Sequence, residues 1–259
     1  LKKRGGPYAA SSEAPSRHAP RRRAVEEVQT GTVYGSCLET MQLTLHPPNA
    51  EPVPFAWTSV NIFAMLNWLA SQSTAFRRLL KKTHASQPSS RARPWSIVLY
   101  LDDTQPGNLL SMDQGRKITA IYWSIRAFGH EILCHESAWM IAGLIRARIA
   151  SQVPGGVSRV LGQLLRRWFG DEFNLRESGV AITIGAESMV VFLKLDTFIA
   201  DEAALKQAFH NKGASGTRPC FGCKDVLKKA STLLDHTDDD DFVPLTCFDT
   251  DRFDLQDDE

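Results

Sequence analysis

Two apolar runs of strand length in this chain each end on an aspartate. Trp95-Ser-Ile-Val-Leu-Tyr-Leu101 stops at Asp102-Asp103, and the run from Met189 to Ala200 leads straight into Asp201. Runs this short and this apolar read as buried strands rather than half-exposed ones. If both strands lie in one sheet, their ends bring carboxylates to a common edge. Paired carboxylates there hold divalent cations through oxygen and leave positions free for a substrate phosphate. The chemistry that needs this arrangement is in-line phosphodiester hydrolysis or transfer, with metal ions stabilising the attacking and leaving oxygens. A strand-end aspartate also serves as a helix cap. Asp201 precedes helical spacing through Ala203, Leu205, Ala208 and Phe209, so both roles stand open for it.

The rest of the chain reads as alternating strands and helices. Residues 1–30 are rich in Gly, Pro, Ser, Ala and Arg and have little apolar periodicity, a composition that buries too little surface to offset its ordering entropy. Thr32-Val-Tyr-Gly and Met41 to His46 alternate as a short strand before Pro47-Pro48. Thr58 to Lys82 has helical spacing through Ile62, Met65, Leu66, Leu69, Phe76 and Leu80, with a basic end that suits the negative pole of the helix dipole. Lys117 to Phe128 reads as a second strand after Trp95–Tyr100, closed by Gly129. Helices are predicted over Ser137–Ile149 and Val157–Phe169, separated by Pro154-Gly155-Gly156. Gly179–Gly185 and Met189–Ala200 read as a hairpin. The pattern predicts an α/β protein in which two strands precede the paired helices.

At 259 residues with a formal charge of +1, the chain can bury a sizeable core and carries no global field that marks a nucleic-acid or membrane protein. Its charges are nevertheless uneven. Basic clusters at Arg21–Arg23, Arg77, Arg78, Lys81, Lys82, Arg166 and Arg167 contrast with acidic runs at Asp238–Asp241 and Asp257–Glu259. Such clusters serve either as solvated faces or as phosphate-backbone contacts. Five cysteines without a dense framework predict a reducing compartment. No run approaches the roughly 18 apolar residues of a membrane span, and no signal-type segment opens the chain, so a soluble intracellular protein is expected. The start at Leu1 fits a fragment of a longer product.

Asp201, followed by Ala203-Ala204 and then by Gly213, Gly216, Cys220 and Cys223, resembles the second-aspartate block of DDE transposases of the CACTA (En/Spm) type. The strand ending at Asp102 is similar to the first-aspartate strand of that family, with Asp-Asp where the family usually has Asp-Gly. The resemblance covers about residues 94 to 225. It implies a ribonuclease-H-like fold, with a mixed sheet flanked by helices, and metal-dependent cleavage and transfer of DNA strands. Asp102 and Asp201 would be the catalytic ligands of magnesium or manganese. Asp103 competes with Asp102, which is preferred as the first residue past the strand. Nothing in the sequence matches the third acidic residue of the family, and Glu259 lies too near Asp201 in a polar tail. The chain as given is therefore expected to be catalytically incomplete, and a non-catalytic DNA- or protein-binding relic is the alternative.

Cys220 and Cys223 have the spacing at which two thiolates hold one zinc from a tight loop, with His236 and Cys247 as possible further ligands. Free thiols or a redox pair fit the same spacing. Cys134 between His130 and His135 offers a nucleophile arrangement, which polar loop residues explain more simply. Pro154-Gly-Gly156 lacks the Lys and Ser/Thr of a phosphate loop. The expected organisation is a disordered basic arm over 1–30, a helical and linker segment over 31–93, a ribonuclease-H-like core over 94–225 and an acidic tail or truncated domain over 226–259. DNA is the expected partner, in the nucleus or elsewhere inside the cell, with oligomerisation open and no membrane association.

Overall fold

The computed structural model describes residues 31–104, 117–170, 173–184 and 187–209. In chain order the elements are β1 (Leu38–Leu45), β2 (Val53–Val60), α1 (Ile62–Gln72), α2 (Thr74–Ser86), β3 (Trp95–Thr104), β4 (Ile118–Ile125), α3 (His130–Leu133), β5 (Met140–Arg146), α4 (Ala147–Ala150), α5 (Gly156–Phe169), β6 (Val180–Ile184), β7 (Glu187–Val191), β8 (Leu193–Ala200) and α6 (Glu202–Ala208). Six strands form one mixed sheet in the order β1-β2-β5-β4-β3-β8, and β6 pairs with β7 as a separate hairpin. Only β3 and β8 run parallel; the other neighbours in the large sheet are antiparallel. The chain is thus α/β, a mixed sheet flanked by helices. No helix among the described residues is long and apolar enough to cross a membrane.

Strand periodicity decides which side chains meet. Trp95, Ile97, Leu99 and Leu101 alternate onto one face of β3, where they are buried with Ile121, Trp123 and Ile125 of β4. Helix α5 adds Val157, Val160, Leu161, Leu164 and Trp168 to this core at helical spacing. The Trp123 and Trp168 rings meet edge to face, 6.1 Å apart. Each such side chain contributes roughly 1.5–3 kcal/mol when fully buried. The opposite face of the sheet is only partly covered, and leaves Ile141, Leu144 and Ile199 exposed.

Three of the expected elements differ. The single helix over Thr58–Lys82 is a strand end followed by two helices. Ser73 takes an extended conformation, and its side chain accepts the Phe76 N–H, so it ends α1 and caps α2. The helix over Ser137–Ile149 is mainly strand β5, with only one helical turn after it. Its apolar residues at 141, 144, 145 and 149 do fit a helical period. Pairing with Ile118–Trp123 of β4, together with Gly143 and the β-branched Ile141 and Ile145, favours the strand. Three strands therefore precede α5 in the β3–β4–β5 meander, not two. Finally, the run Met189–Ala200 breaks at Phe192 into β7 and β8. Ser89 Oγ accepts the Phe192 N–H at 2.9 Å and donates to its carbonyl at 2.8 Å, which pins the break.

Residues 31–93 contribute β1 and β2 to the same sheet through a narrow junction, in which Ser59 pairs with Gly143. Trp57 lies directly against Gly143, and its indole N–H donates to the Leu144 carbonyl at 2.9 Å. A Cβ at Gly143 would stand 2.5 Å from Trp57 Cζ2. Gly143→Ala is expected to destabilise the protein by about 1–3 kcal/mol through overpacking, as read from urea denaturation. The double variant with Trp57→Phe should recover part of that loss, because the smaller ring frees the space.

Candidate functional site

Strand β8 ends opposite Leu101, while β3 continues through Asp102 and Asp103 to Thr104 because both aspartates stay paired to β4, so Asp102 lies within the strand and not past its end as the sequence suggested. The parallel register runs from Trp95↔Leu193 to Leu101↔Ala200, with a bulge that skips Asp196 between Ile97 and Val98. By continuation, the next pair is Asp102 with Asp201, on the face that carries Tyr100 and Ile199. Lys194 and Arg126 hold the bulged Asp196 at 3.3 and 3.2 Å. The hydrogen bond from Lys194 is the main cause that keeps the Asp196 carboxyl below its ordinary range; burial opposes it, and the Lys194 charge with hydrogen bonds from Arg126 and Ser96 adds to it.

Asp103 faces the other way. Thr119 Oγ1 donates to its Oδ1 at 2.6 Å, Lys117 Nζ lies 2.8 Å from its Oδ2, and Gln207 Nε2 of α6 reaches the same oxygen at 3.5 Å. These partners tie Asp103 to the helix-covered side, away from Asp102. Asp201 is the N-cap of α6, as the helical spacing predicted, and its Oδ1 accepts the Ala204 N–H at 2.6 Å. One oxygen is thereby occupied, and the other has no hydrogen-bond partner among the described residues. Asp102 and Asp201 both act on Tyr100, whose phenol is pushed above its ordinary value. Burial is the largest cause, followed by a hydrogen bond to Asp102, the Asp102 charge, Tyr122 and the Asp201 charge. Two carboxylates are hard oxygen donors of the kind magnesium or manganese prefers. Among the described residues, no group of three or more His, Cys, Asp or Glu side chains gathers in an arrangement able to hold a metal.

The expected DNA-contacting residues lie elsewhere. Helix α2 is fixed at the end of the sheet where β3 begins: Phe76 packs edge to face on Phe128, and the Gln87 carbonyl accepts the Trp95 indole N–H at 2.8 Å. Trp95 and Asp102 are separated by roughly 23 Å of strand rise. Arg77 donates to the Ser71 carbonyl and to Thr74, while Lys81 pairs with Glu187; Arg78 and Lys82 are exposed on the same helix. Arg167 bridges to Glu39 of β1 at 2.9 Å and lies over the Phe173 ring, and Arg166 is exposed beside it. These six basic side chains do not converge on Asp102 and Asp201. Cys220, Cys223, His236 and Cys247 lie outside the described residues.

A cleft of about 620 Å3 opens beside Asp102, lined by Tyr100, Tyr122, Trp139 and Ile199 and by Cys134, His135 and Glu136. Cys134 Sγ is 3.6 Å from His130 Nε2, a contact between exposed groups one helical turn apart. Sequence reasoning missed the aromatic wall and Arg146. The available signal was the pair of tyrosines one residue out of phase with the buried positions of β3 and β4. Arg146 follows exposed Leu144 and buried Ile145 in β5, so alternation sets it on the cleft side of the sheet, at the same end as Asp102.

Asp102→Asn should lower the Tyr100 ionisation toward the ordinary value of about 10 without reaching it, because burial remains. Absorbance titration of tyrosinate measures this. Because the folded pKa is raised, the stability linked to protonated Tyr100 is present below about pH 10 and is lost as the pH rises through the raised value. Asp201→Ala should cost about 1 kcal/mol by removing the cap, whereas Asp201→Asn, which still caps, should cost little; thermal melts distinguish the two.

Compared with family models, curated proteins and solved structures, the chain has no match to any of the three.

Proposed function

We propose that this chain is a ribonuclease-H-like core of a transposon-derived DDE enzyme, built for metal-dependent cleavage and transfer of DNA strands. One observation carries the reading: Asp102 in β3 and Asp201 just past β8 come next in the parallel register after Leu101↔Ala200. Strand order supports it as well. Three consecutive antiparallel strands, β3, β4 and β5, are followed, through α5 and the β6–β7 hairpin, by β8, which returns parallel to the first. In this reading Asp102 and Asp201 hold magnesium or manganese, which would activate the attacking oxygen and stabilise the leaving one. The protein's own part is to fix the two carboxylates at one edge. Asp103 stays in its ion pair with Lys117. DNA is the partner and the nucleus the place of action. Two carboxylates are an incomplete set for this chemistry, so strand transfer needs a third acidic ligand.

A second reading is a non-catalytic DNA- or protein-binding relic with a zinc-stabilised loop. The capping bond from Asp201 to Ala204 favours it, since a helix cap alone is reason enough for that aspartate.

Manganese titration separates the two. A metal bound at a hundredfold excess over its Kd stabilises the native state by about 2.7 kcal/mol, which raises Tm by roughly 5–10 °C in a domain of this size. The wild-type chain should show such a rise, and the double variant Asp102→Asn with Asp201→Asn should show none while keeping the same Tm without metal. Equal melting curves for the wild type with and without manganese or magnesium would remove the metal reading and leave the relic.

A further inference from the structure

The cleft beside Asp102 has a construction that the two carboxylates do not require. Tyr122, Tyr100 and Ile199 stand in one row across β4, β3 and β8, on the partly covered face of the sheet. The tyrosine rings are stacked at 5.8 Å with planes 24° apart, and Trp139 meets Tyr100 edge to face at 5.9 Å. Trp139 is fixed, since its indole N–H donates to the Leu133 carbonyl at 2.9 Å and Ser124 Oγ donates to the preceding Ala138 carbonyl at 2.7 Å. An aromatic floor on an open sheet with a rigid aromatic wall is a surface on which flat, unpaired bases stack. Its volume of about 620 Å3 lies in the range of small-ligand sites.

The polar groups then select among bases. Asp102 and Glu136 line the cleft, and ionised carboxylates only accept hydrogen bonds. Guanine presents N1–H and N2–H side by side, two parallel donors that match one carboxylate. Thymine offers a single N3–H between two carbonyls that a carboxylate repels. Arg146, exposed at the same end of the sheet, supplies a cation for the phosphate backbone.

We propose that this cleft holds one unpaired nucleobase of a DNA strand, guanine in preference to thymine, stacked against Tyr122, Tyr100 and Trp139 and hydrogen-bonded by Glu136. The inference rests on the reading of Asp102 and Asp201 as a DNA-processing site only for the course of the strand past the carboxylates. Base binding itself needs no metal.

The test is fluorescence anisotropy with the full chain at low salt and with EDTA present, using a labelled seven-nucleotide thymidine strand and the same strand with one central guanine. The guanine strand should bind about tenfold tighter, the gain from one good bidentate base contact. Tyr122→Ala should weaken its binding roughly 5- to 100-fold, the range of stacking on one aromatic ring, and Tyr122→Phe, which keeps the ring, should restore it. Glu136→Gln, at an exposed position, should erase the preference for guanine. Arg146→Ala should weaken both strands alike and reduce the salt slope by about one unit.

Equal affinity for the two strands, or a guanine strand that binds Tyr122→Ala as well as it binds Tyr122→Phe, overturns the proposal. So does displacement of the strand by millimolar choline, which would assign the aromatic cleft to an organic ammonium. No binding of either strand in EDTA overturns the base site while leaving the metal reading to the manganese melts. A metal-free preference for guanine with no metal stabilisation does the reverse.

Discussion

The parallel ladder between β3 and β8 is the interaction on which the site depends. The β1–β2, β3–β4 and β4–β5 junctions join consecutive strands and the β2–β5 junction rests on the single pair Ser59↔Gly143, whereas this one joins seven pairs of residues about a hundred positions apart through a crossover that includes α5 and the β6–β7 hairpin. Such a connection is costly in loop entropy and is offset only once the helices bury their apolar faces against the sheet. Trp123 against Trp168 is where the meander and the crossover helix meet. The two carboxylates thus become neighbours only when the whole core has formed. Neither strand can present a paired site alone.

What the sequence made legible follows from how local each determinant is. β3, β4, α5 and the capping role of Asp201 were readable, because a run such as Trp95–Leu101, an amphipathic stripe such as Val160, Leu161, Leu164 and Trp168, or an aspartate before Ala203-Ala204 has one favourable local solution. Strand β5 was not readable, since Ile141, Leu144, Ile145 and Ile149 satisfy a helix equally well and only β4 on one side and Trp57 on the other decide against it. The separation of β7 from β8 was hidden for the same reason. The hydrogen bonds of Ser89 to Phe192 bridge more than a hundred residues, and no window along the chain contains both.

The electrostatic layout also departs from what charge clusters alone imply. Arg77, Arg78, Lys81 and Lys82 gather on α2, and Arg166 and Arg167 at the end of α5, all remote from the strand ends that carry Asp102 and Asp201. Several of these side chains are engaged locally, as Arg167 is with Glu39 and Lys81 with Glu187. A contiguous run of like charge is a property of one helix face, and it reports little about which end of a sheet that helix covers. Arg146, a single cation inside an apolar strand, lies nearer the carboxylates than any of the clusters.

The bulge at Asp196 acts as a counting device. If Asp196 took a place in the ladder opposite Val98 instead of being skipped, every later residue of β8 would shift by one, and Asp201 would align with Asp103 instead of Asp102. Neighbouring residues on a strand face opposite ways, so that shift would carry Asp201 to the helix-covered side, beside the ion pair of Lys117. The choice between two adjacent aspartates is therefore made about five residues upstream, roughly 17 Å away, by Lys194 and Arg126 gripping a carboxylate that has no part in the cleft. Removing Asp196 would close the bulge and leave Asp201 opposite Asp102, whereas one further residue in β8 without a second bulge would exchange one aspartate for its neighbour.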